Sequence, residues 1–238
     1  MAMNKRQMRH ELKLCINYAQ YILLSARFNA LLKKDSFTLD SGDYFVRSLY
    51  LDDLGNCSFY DKISGVRDRK KYRIRLYNCD SSKIKLECKE KISNRIHKVS
   101  ANLTEAECQG IISGDFSVLE KRTEPLCQEV FALAKSKGLK NSVIVDYDRE
   151  AYVYDISNVR ITFDKNLHAG GFEGMDIFDK NLFTMGIYPK NEVVLEIKYD
   201  KVIPKFITSL LPINVGNPIA ISKFCICKEK LSEFQLVL

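Results

Sequence analysis

Charged side chains recur at every second position in several segments of this 238-residue chain. The segment Tyr72-Arg73-Ile74-Arg75-Leu76 would place two arginines on one face of a strand and three apolar side chains on the other, because successive side chains of a strand point to opposite faces. Guanidinium groups bind phosphate oxygens through paired hydrogen bonds, and lysines add point charge. The chemistry that this pattern favours is the binding of a condensed phosphate.

Other segments carry charge in the same alternating way, with many cations and single glutamates between them. Their positions are Arg9, Glu11 and Lys13, then Lys83, Lys85, Glu87, Lys89 and Lys91, then Tyr147 and Arg149, and finally Glu196 and Lys198. One interpretation is a one-sided sheet whose polar face is in water. The other is a sheet that closes under helices around a charged interior, which would be hydrated and hold anions because unpaired buried cations are costly. The pattern alone leaves both open.

The chain has the pattern of an α+β protein that is mostly strands, and we predict one domain over residues 1–238. Alternation and turn residues predict strands at 7–17, 44–52, 70–78, 83–91, 96–103, 143–154, 160–164, 192–200 and 219–228. Helices are predicted from the cap residue Asn17 to about residue 34, from Thr104 to near Gly114, from Pro125 to Gly138, and from Pro204 onward.

Composition narrows the class of protein further. The 46% of hydrophobic residues is enough for a core and excludes disorder, and the net charge of +7 favours an anionic partner. No apolar run approaches the roughly 18 residues of a membrane span, and Met1 to Arg6 leads into alternating charge, so we expect a cytoplasmic protein without a transmembrane segment. The eight cysteines are mostly scattered singly, and we expect reduced thiols, with zinc as the lesser alternative.

Eight short motifs in a fixed order give the chain a family resemblance. They are Arg9-His10-Glu11-Leu12-Lys13, Ser48-Leu49-Tyr50-Leu51-Asp52, Tyr72-Arg73-Ile74-Arg75-Leu76-Tyr77, Leu86-Glu87-Cys88-Lys89, Tyr147-Asp148-Arg149, Arg160-Ile161-Thr162-Phe163-Asp164, Leu195-Glu196-Ile197-Lys198 and Ser222-Lys223-Phe224. Together they resemble the VTC (vacuolar transporter chaperone) domain of polyphosphate polymerases, a branch of the CYTH-like triphosphate tunnel metalloenzymes. The resemblance runs from Arg9 to Lys228.

The resemblance implies a closed eight-stranded antiparallel β-barrel with helices packed outside, enclosing a basic tunnel. It implies transfer of the γ-phosphate of ATP onto a growing polyphosphate chain with Mn²⁺ or Mg²⁺. The residues that it assigns to catalysis are Arg73, Arg75, Arg149, Lys223 and Glu196. Those that it assigns to substrate binding are Lys13, Lys62, Lys89, Lys98, Tyr147, Arg160 and Ser222. The metal ligand falls on Glu196, with Glu11 as a second candidate.

One position departs from the family's pattern. The last strand of the family often carries a further basic residue three positions before the lysine of the Ser-Lys pair, and here that position is Ala220. A non-catalytic polyphosphate- or nucleotide-binding module therefore remains as an alternative. A triphosphate hydrolase on the same fold, which would differ only in using water as the acceptor, is another. The expected partners are ATP and polyphosphate or another triphosphate, and a membrane partner protein stays open. Nucleic acid is not expected, because the basic residues lie on strands without an aromatic stacking stripe.

Overall fold

The alternating segments form one antiparallel sheet in the computed structural model, which describes residues 9–39, 41–93, 95–171, 176–187, 191–211 and 221–235. The strands are β1 (His10–Asn17), β2 (Lys33–Lys34), β3 (Tyr44–Asp52), β4 (Arg69–Tyr77), β5 (Ile84–Ile92), β6 (Arg95–Leu103), β7 (Lys140–Tyr154), β8 (Val159–Gly170), β9 (Met185–Gly186) and β10 (Glu192–Tyr199). The helices are α1 (Tyr18–Leu31), α2 (Cys57–Ile63), α3 (Glu105–Ile112), α4 (Pro125–Lys137), α5 (Lys205–Leu210) and α6 (Lys223–Gln235), with 3-10 turns at Phe116–Leu119 and Ile156–Asn158.

Eight long strands build the sheet in the order β1-β10-β8-β7-β3-β4-β5-β6, and the short strands β2 and β9 extend it beside β7 and β8. Neighbouring strands are antiparallel throughout the described sheet. The sheet curls into a half-barrel, so that the alternate side chains with charge face its concave side. The predicted α+β class and the eight-stranded antiparallel arrangement are confirmed.

The expected closure of the barrel is wrong. Within the described residues, one backbone bridge, Arg9–Ile96, joins the two edges of the sheet at β1 and β6, and its two hydrogen bonds measure 3.2 and 3.3 Å. Along an antiparallel pair, each later residue of β1 would face an earlier residue of β6, which begins at Arg95. Leu12 would thus face Ser93, which lies in the turn after β5. Beyond the bridge, the edge of β1 that is turned away from β10 therefore has no residue of β6 to pair with in the described part of the chain.

Two helical layers cover the convex face of the sheet. Helices α1 and α5 pack on β1, β10, β8 and β7 around Leu24, Phe28 and Phe163. Helices α3 and α4 pack on β3 to β6 around Ile74, Leu86 and others of the larger core cluster. These layers bury the apolar half of each alternating strand, which leaves the charged half on the concave side. Within the described residues, no helix has the length and apolarity to cross a bilayer.

The segment predicted as the last strand, 219–228, is a helix from Lys223 onward. Helix α6 packs against the concave face, where Phe224 stacks on Tyr50 with ring centroids 4.9 Å apart. Phe224, Cys227 and Leu231 belong to one apolar cluster, and their spacing of three and four residues is helical. The short alternation around Phe224 fits a strand equally well, and only the following turns distinguish the two. Residues 219–220 lie outside the described residues.

The other predicted elements are confirmed with small changes at their ends, except that β8 continues to Gly170, six residues beyond its predicted end. Asn17 and Thr104 each form a capping box, and Gly138 ends α4 with a φ of 61°. Helix α1 ends at Leu31, and the lysines that follow it pair with β7 instead. Helix α2 was not predicted, and residues 7–8 of the first predicted strand lie outside the described residues. All eight cysteines are free, as expected.

We expect Phe224→Ala to lower the free energy of unfolding by about 3–5 kcal/mol, because the ring is buried between α6 and the sheet. Phe234→Ala is the matched control, since the same helix leaves that ring 49% exposed. Urea denaturation of both variants measures the difference. Equal and small losses would contradict the placement of α6 against the concave face.

Candidate functional site

A cavity of about 750 Å³ lies against the concave face of the sheet. That volume falls within the range of roughly 300–1,000 Å³ that is usual for ligand sites. The carboxylates of Glu11 and Glu196 line it together with fourteen cationic side chains. These cations are Arg9, Lys13, Lys62, Arg69, Lys71, Arg73, Arg75, Lys89, Lys91, Lys98, Arg149, Arg160, Lys198 and Lys223. The cavity therefore favours an anion of high charge density.

Three cations from β4 and β6 converge on one buried carboxylate of β5. The strand register sets Arg73 opposite Glu87, and Arg73 Nη2 lies 2.7 Å from Glu87 Oε2. Lys98 Nζ lies 2.8 Å from Glu87 Oε1, and Arg75 Nη1 lies 3.6 Å from Glu87 Oε2. Burial would raise the pKa of Glu87, but Arg75 and Arg73 outweigh it and hold the pKa well below its usual range. The ionised carboxylate thus fixes these cations in place.

On β7 and β8, a second carboxylate does the same for two further cations. Asp164 faces Arg149 across the strand pair and accepts hydrogen bonds of 2.6 and 2.8 Å from its guanidinium. Lys223, the first residue of α6, lies 2.5 Å from the same carboxylate. Burial opposes ionisation of Asp164, but Arg149 and Lys223 lower its pKa below the ordinary range. Both cations also lie 5.0 Å from the ring centroid of Tyr147.

The third group joins β1 and β10. Lys13 faces Glu196 and Glu11 faces Lys198 across the strand pair. Lys13 Nζ lies 3.2 Å from Glu196, Lys198 contacts the other oxygen of Glu196, and Lys89 Nζ lies 2.9 Å from Glu11. Burial opposes ionisation of Glu196, but Lys198 and Lys13 hold its pKa well below the usual value. Both carboxylates are therefore ionised and held among lysines.

The structure brings together every site residue that the sequence singled out. The thirteen that line the cavity are Glu11, Lys13, Lys62, Arg73, Arg75, Lys89, Lys98, Tyr147, Arg149, Arg160, Glu196, Ser222 and Lys223. Lys62 reaches the cavity from α2, and the guanidinium of Arg160 contacts the hydroxyl of Tyr44 at 2.8 Å. Their roles in binding and catalysis stay predictions. Ala220 lies outside the described residues.

Eleven residues of the cavity lining were not predicted as site residues, and three of them were within reach of the sequence patterns. Lys71 and Lys198 each lie two positions from a predicted site residue on the same face of their strands. Tyr50 lies in the second motif, and its hydroxyl accepts a 2.8 Å hydrogen bond from Arg73 Nη1. Burial would raise the pKa of Tyr50, but Arg73 and Arg75 lower it to about 8.

Glu11 and Glu196 are the residues of the cavity that could hold a divalent cation. Mg²⁺ in phosphate-transfer sites is commonly held by one or two carboxylates together with substrate phosphates, and this donor set fits that pattern. Among the described residues, no group of three or more His, Cys, Asp or Glu side chains offers a complete protein-only site. A metal here would therefore be held jointly by the protein and a phosphate ligand.

Comparison with known proteins identifies a family to which most of the chain matches. Residues 8–232 match the VTC domain. Similar solved structures include a putative adenylyl cyclase from Hippeastrum, described as having a dominant triphosphatase activity, at 14% identity and a TM-score of 0.55 over 94% of this chain and 96% of that one. Another is the PH1819 protein from Pyrococcus horikoshii OT3, at 14% identity and a TM-score of 0.46 over 94% and 99% of the two chains. The comparison with curated proteins gave no match.

The curled antiparallel sheet around the cavity has the fold of the Hippeastrum protein. Because the family match spans nearly the whole chain, the chain belongs to the VTC domain family. The resemblance expected from the eight ordered motifs is confirmed.

We expect the Tyr50 phenol to ionise near pH 8 in the folded protein. This titration should be absent in Tyr50→Phe. The pKa of Tyr50 is lowered on folding, so this group adds stability as the pH rises above about 8 and loses that contribution as the pH falls through it. Ultraviolet difference spectra across pH 7–10 measure the titration. The same spectra in Tyr50→Phe and Tyr60→Phe, the latter exposed on α2, assign it. A phenol titration near pH 8 that is still present in Tyr50→Phe would contradict the assignment to Tyr50.

Proposed function

We propose that this chain is a metal-dependent polyphosphate polymerase, which transfers the γ-phosphate of ATP onto a growing polyphosphate chain in the basic cavity. The observation that carries the proposal is the convergence of cations from seven strands and two helices on one cavity in a VTC domain. A lone cationic surface would fit many anions. A walled cavity with cations on several sides fits a flexible chain of phosphates, which carries charge on every unit.

The geometry supports binding by groups that are already in position. Arg73 and Arg75 are held by Glu87, and Arg149 is held by Asp164. Side chains that are fixed before the ligand arrives lose little entropy on binding and need no reorganisation during the reaction. These arginines and Lys223 would bind the phosphates and stabilise the charge that shifts between them.

Phosphoryl transfer needs positioning and charge neutralisation more than covalent chemistry by the protein. A terminal phosphate oxygen of the acceptor is already anionic at neutral pH, so the reaction needs no general base. Glu196, with Glu11 beside it, would hold a Mn²⁺ or Mg²⁺ ion, and such an ion supplies neutralisation of phosphate charge. The lysines around both carboxylates, Lys13 and Lys198, would hold the remaining phosphate oxygens.

A triphosphate hydrolase is the second candidate, favoured by the triphosphatase activity described for the Hippeastrum neighbour. The same cations would bind the substrate, and water would replace the phosphate acceptor. Release of free phosphate without growth of a polymer would identify this activity. A non-catalytic binding module, raised by Ala220, would bind the anion and turn over neither substrate.

With ATP and Mn²⁺ we expect polyphosphate ladders on a gel, and their loss in Glu196→Gln by about a hundredfold or more, because the metal site loses its charged ligand. Glu192→Gln is the matched control, since Glu192 lies on the same strand and face, four residues away and outside the cavity lining. Full activity in Glu196→Gln would contradict the assigned metal ligand. No polymer and no phosphate release from the unmodified chain would contradict both enzymatic proposals.

Tripolyphosphate at about 100 times its Kd should raise the melting temperature by about 5–10 °C, because a ligand that binds only the folded state adds about 2.7 kcal/mol at that concentration. The measurement is a thermal scan with tripolyphosphate and, as the control, sulfate at equal ionic strength. Stabilisation by sulfate to the same extent would show a general anion effect and count against a triphosphate site.

A further inference from the structure

Four cations of the cavity, which we name the uncompensated cluster, have no acidic partner among the described residues. They are Lys62, Arg69, Lys71 and Lys91. Within the described part of the chain, no carboxylate oxygen lies within 4 Å of any of them. By contrast, Arg73 and Arg75, further along β4, share the carboxylate of Glu87. Lys71 Nζ instead lies 2.9 Å from the hydroxyl of Ser222, a neutral partner.

The register of β4 and β5 also places cations of the cluster opposite other cations. Arg69 faces Lys91 and Lys71 faces Lys89, so that like charges lie directly opposite each other. Further along the same two strands, Arg73 faces Glu87. Arg73 is thus balanced by the residue directly opposite it, whereas Arg69 and Lys71 each face a lysine.

Burial, in addition to repulsion between like charges, disfavours the charged form of two lysines of the cluster. Burial, with a smaller effect of Arg69, lowers the pKa of Lys62. Burial lowers the pKa of Lys71 to about 8. A second anion at this end of the cavity would relieve both costs.

The distance along the strand decides how long that anion must be. Arg75 and Arg69 are six residues apart on β4, which corresponds to about 20 Å in an extended strand. Three phosphate groups in a row are shorter than this. A triphosphate held at Arg75, Arg73 and Arg149 would leave the uncompensated cluster unfilled, whereas a longer chain of phosphates from the same position would reach it.

We propose that the uncompensated cluster is a second anion subsite, which binds the phosphate groups of a polyphosphate chain beyond the first three and makes the protein favour long chains over tripolyphosphate. This inference rests on the proposed function. A single-stranded nucleic acid carries similar charge, but its bases need exposed rings to stack on. Phe224, the ring that lies 4.7 Å from Lys71 Nζ, is buried against Tyr50.

The test compares the Kd of tripolyphosphate with that of a linear polyphosphate of about 30 phosphates, per chain and at one fixed ionic strength, by calorimetry. We expect the unmodified protein to bind the long chain more tightly. Lys91→Glu should reduce the ratio of the affinity for the long chain to the affinity for tripolyphosphate by about tenfold, because the variant loses a charged contact with the long chain and adds a negative charge. Arg69→Gln should change the ratio in the same direction. Lys85→Ala is the matched control, because Lys85 lies on the same strand and face as Lys91 and outside the cavity lining.

Folding of the variant has its own measurement. Lys91→Glu replaces a like-charge pair with an opposite one, so the melting temperature of the free variant should equal or exceed that of the unmodified protein. A fall in that temperature would contradict the cost assigned to the pair.

Three binding results would overturn the inference. One is equal affinity of the unmodified protein for both phosphates, which leaves the proposed function intact when polymer is still made. The second is an unchanged ratio in both variants. The third is displacement of the long polyphosphate by single-stranded DNA of equal charge, which would show a general polyanion groove. If the unmodified protein binds neither phosphate, the proposed function fails with the inference.

Discussion

Repulsion among the cations of the concave face is the constraint on which the rest of the structure depends. Fourteen cationic side chains share one cavity, and a carboxylate can neutralise only those within its reach. Glu87 and Asp164, both almost fully buried, and the lining pair Glu11 and Glu196 are set by strand register opposite or beside the cations. Each carboxylate serves two or three cations, so positive charge remains for a ligand to neutralise. The fold therefore holds a binding surface in shape without cancelling its charge.

The alternation of charged and apolar residues allowed the strands and the candidate site to be predicted from sequence. In Tyr72 to Leu76, one pattern specifies both the buried face and the face that meets the ligand. A shift of one residue would bury the arginines, so the register of such a strand is strongly determined. The ordered motifs then supplied what alternation could not, namely that separate strands contribute to one cavity.

Two features depended on long-range packing and were not predictable in this way. Closure of the barrel is decided by where β6 begins relative to Arg9, and no local pattern encodes that offset. The conformation of residues 223–228 is decided by the fit of Phe224 and Cys227 against the concave face, where a helix buries both. Lys223 reaches Asp164 and the cavity from this helix, although the sequence had predicted a strand there.

The placement of α6 also has a chemical consequence. Its first residue, Lys223, shares Asp164 with Arg149 of β7, and the neighbouring Ser222 accepts a hydrogen bond from Lys71 of β4. One short segment thus contacts the carboxylate that holds Arg149 and also contacts Lys71 of the uncompensated cluster. A phosphate chain that spans both would bridge two strands and a helix at once. Since positioning supplies much of the rate in phosphoryl transfer, a segment that fixes both regions relative to each other fits the proposed transfer along a chain better than the hydrolysis of a short one.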